Sequence, residues 1–156
     1  MDKILIGKYV STHGIKGEIR IKSNFKYKDR VFKKGNIILI NNQEFIITNY
    51  RVHKEYDMLS LNGINNINQI LNLKGSLVYI YKDLLNLGEF DYLDSDLINL
   101  EVYMSDKLIG KVENITYIND TKKLLIVNNN YIPFELVKEL NIKNKRIEIE
   151  EVYGLV

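Results

Sequence analysis

The sequence predicts an all-β protein built as two small β-barrels, each with one short helix, joined by a linker. Three observations predict it. Apolar and β-branched runs of four to six residues recur at short intervals, separated by Gly, Asn, Ser or Asp turns. Several of these runs alternate, with one face apolar and the other charged. At 156 residues the chain is long enough for one domain or two small ones, and the number of short strands fits two barrels better than one.

The elements follow in order. Residues 3–11 form a β-branched and aromatic run. Gly17-Glu18-Ile19-Arg20-Ile21-Lys22 alternates strictly, so Ile19 and Ile21 face one way and Glu18, Arg20 and Lys22 the other. Asn36-Ile37-Ile38-Leu39-Ile40 is a near-continuous apolar strand, and Asn41-Asn42 turns it into residues 44–48 as a hairpin. Residues 50–53 and 58–61 read as two more strands. The spacing of Ile64, Ile67, Ile70 and Leu71 then predicts a helix over 65–73, capped by Asn65 or Asn66 and stopped at Gly75. Residues 77–81 complete the first barrel.

Residues 83–95 carry no clear period but hold several acids together with Leu84, Leu85, Leu87, Phe90, Tyr92 and Leu93. A purely flexible linker would not contain so many apolar residues, so this linker is expected to be partly docked. The expected boundaries are a first barrel at 1–82, the acidic linker at 83–95 and a second barrel at 96–156. In the second barrel, residues 100–104 run into the Ser105-Asp106-Lys107 turn. A long strand follows over 108–118, bent or bulged at Gly110. Turns at 119–122 and at Asn128-Asn129-Asn130 flank a strand over 123–127. The pattern of Leu136, Val137 and Leu140 predicts a short helix over 135–140, and residues 146–150 alternate as the last strand.

The net charge of +2 conceals polarity. Residues 1–34 hold ten Lys or Arg against three Asp or Glu, whereas residues 83–113 hold two against eight. A basic first third suits a phosphate backbone and an acidic middle suits a basic protein. Both also fit a solvated, solubilising surface. Lys outnumbers Arg eighteen to four and Asn and Ile are abundant, a bias attributed here to an AT-rich genome.

Several chemistries are excluded or disfavoured. Without Cys there are no disulfides, thiolate zinc sites or Cys nucleophiles. Two His, His13 and His53, are too few for a His-rich metal site. His13 reads as a turn side chain and His53 as a strand position. The carboxylates at 91–96 and 148–151 lie in the linker and on a solvent face rather than in a pocket. No nucleophile elbow, zinc-protease helix or dinucleotide fingerprint is present. No catalytic residue, cofactor or metal is therefore expected. No apolar run is long enough to span a membrane, and the N-terminus lacks a secretory signal, so a cytoplasmic protein is expected. Nothing points to an oligomer, and a monomer is expected.

The turn Thr12-His13-Gly14-Ile15-Lys16-Gly17 is the principal candidate site. Its glycines allow close backbone approach, and Lys16, Arg20 and Lys22 share one wet face, which suits RNA phosphates. The expected RNA contacts are His13, Gly14, Lys16, Gly17, Arg20 and Lys22. Gly14-Ile15-Lys16-Gly17 matches a KH loop formally, but strands rather than helices flank it. Phe90, Tyr92, Leu93, Pro133 and Phe134 are the apolar residues outside strand interiors and are candidates either for protein contact or for packing between modules.

Ordered blocks along the chain carry a resemblance. Ile6-Gly7-Lys8-Tyr9-Val10-Ser11-Thr12-His13-Gly14-Ile15-Lys16-Gly17-Glu18 opens it, followed by Asp29-Arg30-Val31-Phe32, Arg51-Val52-His53-Lys54, Leu61-Asn62-Gly63-Ile64 and Leu73-Lys74-Gly75. Asp96-Leu97-Ile98-Asn99-Leu100-Glu101-Val102, Gly110-Lys111-Val112, Ile132-Pro133-Phe134 and Gly154-Leu155-Val156 complete it. In this order the chain resembles the RimM family of bacterial ribosome maturation factors over nearly its whole length. The resemblance implies a six-stranded translation-factor-like barrel followed by a PRC-type barrel. It implies a non-catalytic assembly factor that binds the head of the immature small subunit, through ribosomal protein nineteen of that subunit and nearby 16S rRNA. The second barrel and linker would carry much of the protein contact. Leu93 stands where the family has a second aromatic residue, and Asn99 where it usually has Gly. A PRC-barrel adaptor for another protein complex, or an RNA-processing enzyme, are the alternatives.

Overall fold

The computed structural model describes residues 2–119 and 121–154. Asp120 of the 119–122 turn and the closing Leu155-Val156 lie outside the described residues. The chain divides into two compact units, Met1–Asn86 and Leu87–Val156.

The first unit is a closed six-stranded barrel. Its strands are β1 (Lys3–His13), β2 (Glu18–Lys22), β3 (Ile37–Ile40), β4 (Gln43–His53), β5 (Tyr56–Leu61) and β6 (Leu77–Tyr81). They pair in the order β1-β2-β5-β4-β3-β6, and β6 returns to β1. All these pairs are antiparallel. Closure depends on two long strands that each serve two neighbours. β1 pairs with β6 through its first half and with β2 through its second, with register shifts between Leu5 and Gly7 and between Tyr9 and Ser11. β4 divides in the same way between β3 and β5, shifting between Ile47 and Asn49. Each bulge bends its strand, as a small barrel requires. At the bend in β1, a Cβ on Gly7 would lie 2.7 Å from the Lys22 carbonyl oxygen, so only glycine lets the two backbones approach this closely.

The alternation of β2 holds in three dimensions: Ile19 and Ile21 are fully buried and Lys22 is exposed. They join Tyr9, Ile38, Ile40, Ile47, Leu59 and Ile80 in the barrel interior, while Met58, in register with Arg20 and Arg51, is buried on the outer face. The buried Tyr9 hydroxyl donates to the Ile70 carbonyl at 3.3 Å, and burial raises its pKa. One helical turn, α1 (Lys28–Val31), has no signature in the sequence. It is too short to show a period, and it is held from outside: the Asn36 amide donates to the carbonyls of Arg30 (3.0 Å) and Val31 (2.9 Å).

The expected helix at 65–73 is replaced by two 3₁₀ turns, Ile67–Gln69 and Leu71–Leu73. Ile64, Ile67, Ile70 and Leu73 recur every third residue, which suits a three-residue turn. Leu71, the residue that suggested an α-helix, is 44% exposed. Asn66 caps the first turn, accepting from Asn68 N at 2.9 Å, while Gln69 Oε1 accepts from the backbone N–H groups of Asn65 and Asn66.

The second unit consists of two sheets around one core. One has the order β12-β13-β7-β8 and the other β11-β10-β9. The strands are β7 (Glu101–Met104), β8 (Lys107–Lys111), β9 (Asn114–Ile118), β10 (Lys122–Val127), β11 (Asn130–Pro133), β12 (Val137–Asn141) and β13 (Arg146–Ile149). Leu97, Leu100, Val102, Val112, Leu125, Val127, Ile132, Ile147 and Ile149 form the core. The expected strand over 108–118 is two strands, β8 and β9. The register shift opposite its first half lies between Val102 and Tyr103, where Gly110 pairs. The expected helix over 135–140 is a 3₁₀ turn, Phe134–Leu136, followed by strand β12. A bulge between Val137 and Glu139 sets the half-buried Val137 and Leu140 three residues apart, which imitates a helical period.

The apolar residues of the acidic segment are divided between the units. Leu85, buried on a 3₁₀ turn (Lys82–Leu85), belongs to the first, and the buried Leu93 belongs to the second. Asn99 has φ 68° and its backbone N–H donates to the Val112 carbonyl at 2.8 Å. Asn tolerates this left-handed conformation better than other L-residues, which explains how it can stand in a glycine position.

One buried charge anchors the first barrel. Asp57 is 3% exposed. Its Oδ1 accepts from the Tyr50 hydroxyl at 2.7 Å, and its Oδ2, which lacks a well-angled hydrogen bond, is met by Lys28 Nζ at 2.8 Å. Burial, and then the Asp57 carboxylate, push the Tyr50 phenol far above its usual pKa. The Tyr50→Phe variant is expected to lose about 1–2 kcal/mol of stability, because Asp57 loses a charge-assisted hydrogen bond. Urea unfolding of the two proteins measures this directly.

Candidate nucleic-acid interface

The turn between β1 and β2 is fixed on the following 3₁₀ segment. Ile67 N donates to the Ile15 carbonyl at 2.8 Å. Gly17, with φ 87°, packs so closely that an added Cβ would lie 2.7 Å from Ile64 Cγ2. Gly14 also has positive φ (72°), with open space around it. Ile15, between them, is 80% exposed. A cleft of about 540 Å³ lies between the turn and the β5 end, lined by residues 13–18, Ser60, Ile64 and Asn65.

The two histidines meet beside this turn, with ring centroids 5.7 Å apart. This juxtaposition is not legible in sequence, because it joins the last residues of β1 and β4. Arg20 folds back along β1, donating to the Thr12 carbonyl (2.9 Å), Ser11 Oγ (3.2 Å) and His13 Nδ1 (2.6 Å). A guanidinium can only donate, so Nδ1 is the accepting nitrogen of this contact, which leaves Nε2 as the ring's donor. Arg20 therefore orients His13, while Lys16 and Lys22 remain exposed. Lys8 pairs in register with Lys22, and both are exposed. Such like-charged neighbours repel unless an anion bridges them. Lys8 is a basic position that the alternation of β2 cannot reveal, since it lies on the neighbouring strand.

Glu18 is withdrawn from this basic surface by a bidentate pair: Arg51 Nε donates to Oε2 at 2.9 Å and an Arg51 terminal nitrogen to Oε1 at 2.7 Å. The pair crosses from β2 to β4, so no local pattern in the sequence announces it.

In the second unit, Tyr92 and Phe134 come together with centroids 6.4 Å apart and pack on the core. Lys123 Nζ lies 4.2 Å from the Phe134 centroid, 5.4 Å from that of Tyr92 and 2.9 Å from Asp94 Oδ1. The Tyr117 hydroxyl also donates to Asp94. Burial, followed by the contact with Asp94, pushes the Tyr117 phenol far above its usual pKa. Pro133 is half-buried next to Phe134. Leu93 is 7% exposed, whereas Phe90 is 88% exposed. Among the described residues no group of three or more His, Asp or Glu is placed to hold a metal, and no helix is long and apolar enough to cross a membrane.

A sequence model of the RimM N-terminal domain matches residues 4–85. A protein of Staphylococcus epidermidis named ribosome maturation factor RimM is 39% identical, the alignment covering 99% of each chain. The chain belongs to the RimM family. A Staphylococcus aureus protein of the same name is also 39% identical over 99% of each chain. A Pseudomonas aeruginosa structure titled as a 16S ribosomal RNA processing protein RimM covers 97% of this chain and 98% of its own, at 17% identity and a TM-score of 0.48. The N-terminal domain of RimM from Thermus thermophilus covers 52% of this chain and 91% of its own, with a TM-score of 0.45. The first-barrel family match thus contains the turn, both histidines and the Glu18–Arg51 pair.

Arg51 holds the Glu18 carboxyl below the usual carboxylate range, first by hydrogen bonding and further by its charge, against the opposing effect of burial. A lowered carboxyl pKa gives stability that is fully present above the unfolded-state value and is lost as pH falls through the folded-state value. Arg51→Met is therefore expected to be less stable than the parent at neutral pH, with the gap closing as pH drops below the normal glutamate range. Thermal unfolding of both proteins across that range checks the sign.

Proposed function

We propose that this protein is a non-catalytic assembly factor for the small ribosomal subunit, acting in the cytoplasm as a monomer. The single observation that carries the reading is full-length similarity to proteins named ribosome maturation factor RimM, at 39% identity across both units. The partner would be the head of the immature subunit: ribosomal protein nineteen of that subunit together with nearby 16S rRNA. The charge polarity supports a division of labour. The first unit offers exposed Lys8, Lys16 and Lys22 to phosphates, and residues 83–113 carry the acidic excess that suits a basic ribosomal protein. Complementarity of this kind speeds encounter and weakens with salt.

Within that reading His13, Gly14, Gly17 and Arg20 shape the RNA-facing turn, and Arg20 acts by orienting His13 rather than as a free cation. Phe90 is the accessible apolar anchor of the protein contact, with Tyr92 two residues along and Phe134 and the adjacent Pro133 beside Tyr92. Leu93, though next to Tyr92 in sequence, is buried and offers no surface of its own.

Co-sedimentation with immature small subunits, mature small subunits and large subunits tests the reading. Selective retention on the immature particle is expected; equal retention on all three, or none, overturns it. The Lys8→Glu, Lys16→Glu, Lys22→Glu triple variant is expected to bind more weakly and with a shallower salt dependence, by about one unit of log–log slope for each phosphate that is no longer neutralised. Phe90→Ala is expected to reduce retention with no change in unfolding midpoint, because the ring is exposed and supports no packing.

A further inference from the structure

The cleft beside the β1–β2 turn combines features that binding a phosphate alone does not use. Its walls include two aliphatic side chains, Ile15 and Ile64, and the His13 ring. Its uncharged polar residues are Ser60 and Asn65, and Lys16 supplies a cation. Gln69 engages the backbone N–H of Asn65, which leaves the Asn65 carboxamide out of the capping arrangement. Asn66, not Asn65, supplies the cap. His13 adds a donor, Nε2, since Arg20 holds its Nδ1. Among the described residues the one carboxylate in the lining is Glu18, and its two oxygens are engaged by Arg51, so no free anion repels a phosphate here.

This is the chemistry of a single nucleotide. A nucleobase has apolar faces and a donor–acceptor edge, and it is attached to an anion. The volume, about 540 Å³, lies within the range of small-ligand clefts. A paired base cannot offer its face or its pairing edge, so such a cleft selects unpaired RNA. We propose that the cleft lined by Ile15, Ser60, Ile64 and Asn65 takes one unpaired nucleobase of an RNA strand, with Lys16 on the adjacent phosphate. The proposal deepens the assembly-factor reading by naming the RNA feature its first barrel recognises, and it rests on that reading for the source of the RNA. The turn is pre-formed, because Gly17 against Ile64 and the Ile67–Ile15 hydrogen bond hold both walls together. Little ordering cost is left for the binding step.

The test titrates the full-length protein, labelled with ¹⁵N, with a short unstructured oligoribonucleotide and with a duplex of the same strand, followed by NMR. The single strand is expected to shift the amides of Gly14, Gly17 and Ser60 and the Asn65 side-chain amide, and to bind at least several-fold tighter than the duplex. Asn65→Ala and Ser60→Ala are each expected to weaken single-strand binding about fivefold with an unchanged salt slope, the loss of one hydrogen bond. Lys16→Gln is expected to lower the slope by about one. Equal binding of strand and duplex, or single-strand binding that is insensitive to both Asn65→Ala and Ser60→Ala, overturns the proposal. So does a response of these amides to a short peptide and not to RNA. Asn65 is exposed and Ser60 half-buried, and unchanged unfolding midpoints would show that weaker binding reflects the missing hydrogen bond and not a damaged fold. The two readings fail separately. Selective retention on immature subunits that survives Asn65→Ala removes the base cleft alone, whereas single-strand binding without that selectivity removes the assembly reading alone.

Discussion

Closing a six-stranded sheet on itself is the constraint from which the rest of the first unit follows. Two strands of eleven residues, β1 and β4, must each satisfy two different neighbours, so each is bent by bulges part-way along. The bend in β1 brings its backbone against Lys22 and admits only glycine at position 7. Beyond the bends, the far ends of the same two strands converge on the side of the barrel where the 13–17 turn projects. His13 and His53 terminate them, and Glu18 reaches Arg51 across the one intervening strand, β5. The surface chemistry of the site is therefore a by-product of barrel geometry, and a change that loosened closure would disperse it.

The turn itself illustrates how rigidity and exposure are reconciled. A loop on the surface has few neighbours to hold it. Here the loop leans on the 64–67 segment, which is in turn wound by Asn66 and Gln69. Local backbone hydrogen bonding thus stands in for the burial that the loop lacks. Arg20 shows the same economy. It could have been one more free cation, but three acceptors on β1 take its donors, and its effect is to orient a neighbouring ring.

Much of the fold is legible because the strands declare themselves locally. The alternation of 18–22 and the Asn41-Asn42, Ser105-Asp106 and Asn128-Asn129 hairpins need only neighbouring residues to be read, and all six turn residues have positive φ. The two helices expected from spacing fail for one reason. A period of three arises from a 3₁₀ turn at 67–73 and from a bulged strand at 137–141 as readily as from an α-helix. What composition conceals is the purpose of the asparagines. Counted alone they read as genome bias, yet among the described residues seven of the eleven non-glycine positions with positive φ are Asn. The bias has been placed where the backbone makes use of it. The site is half legible: Lys16, Lys22 and the glycines lie within one segment. Lys8, Ser60 and the histidine pair reach it only through strand pairing, and Asn65 only through the packing of residues 64–67 on the turn, which no local pattern encodes.

The two units also differ in what their backbones leave open. A closed barrel has every strand flanked on both sides, so among its described residues the first unit presents no open sheet edge to another chain. The second has two open sheets, ending at β8, β9, β11 and β12. These borders are short, none longer than five residues, and one is guarded: the Asn128 side chain donates to the Ile109 carbonyl on β8. Strand addition by a partner, or by a misfolded copy, is thus an option for one half of the molecule only. Any tendency of this protein to polymerise would start there.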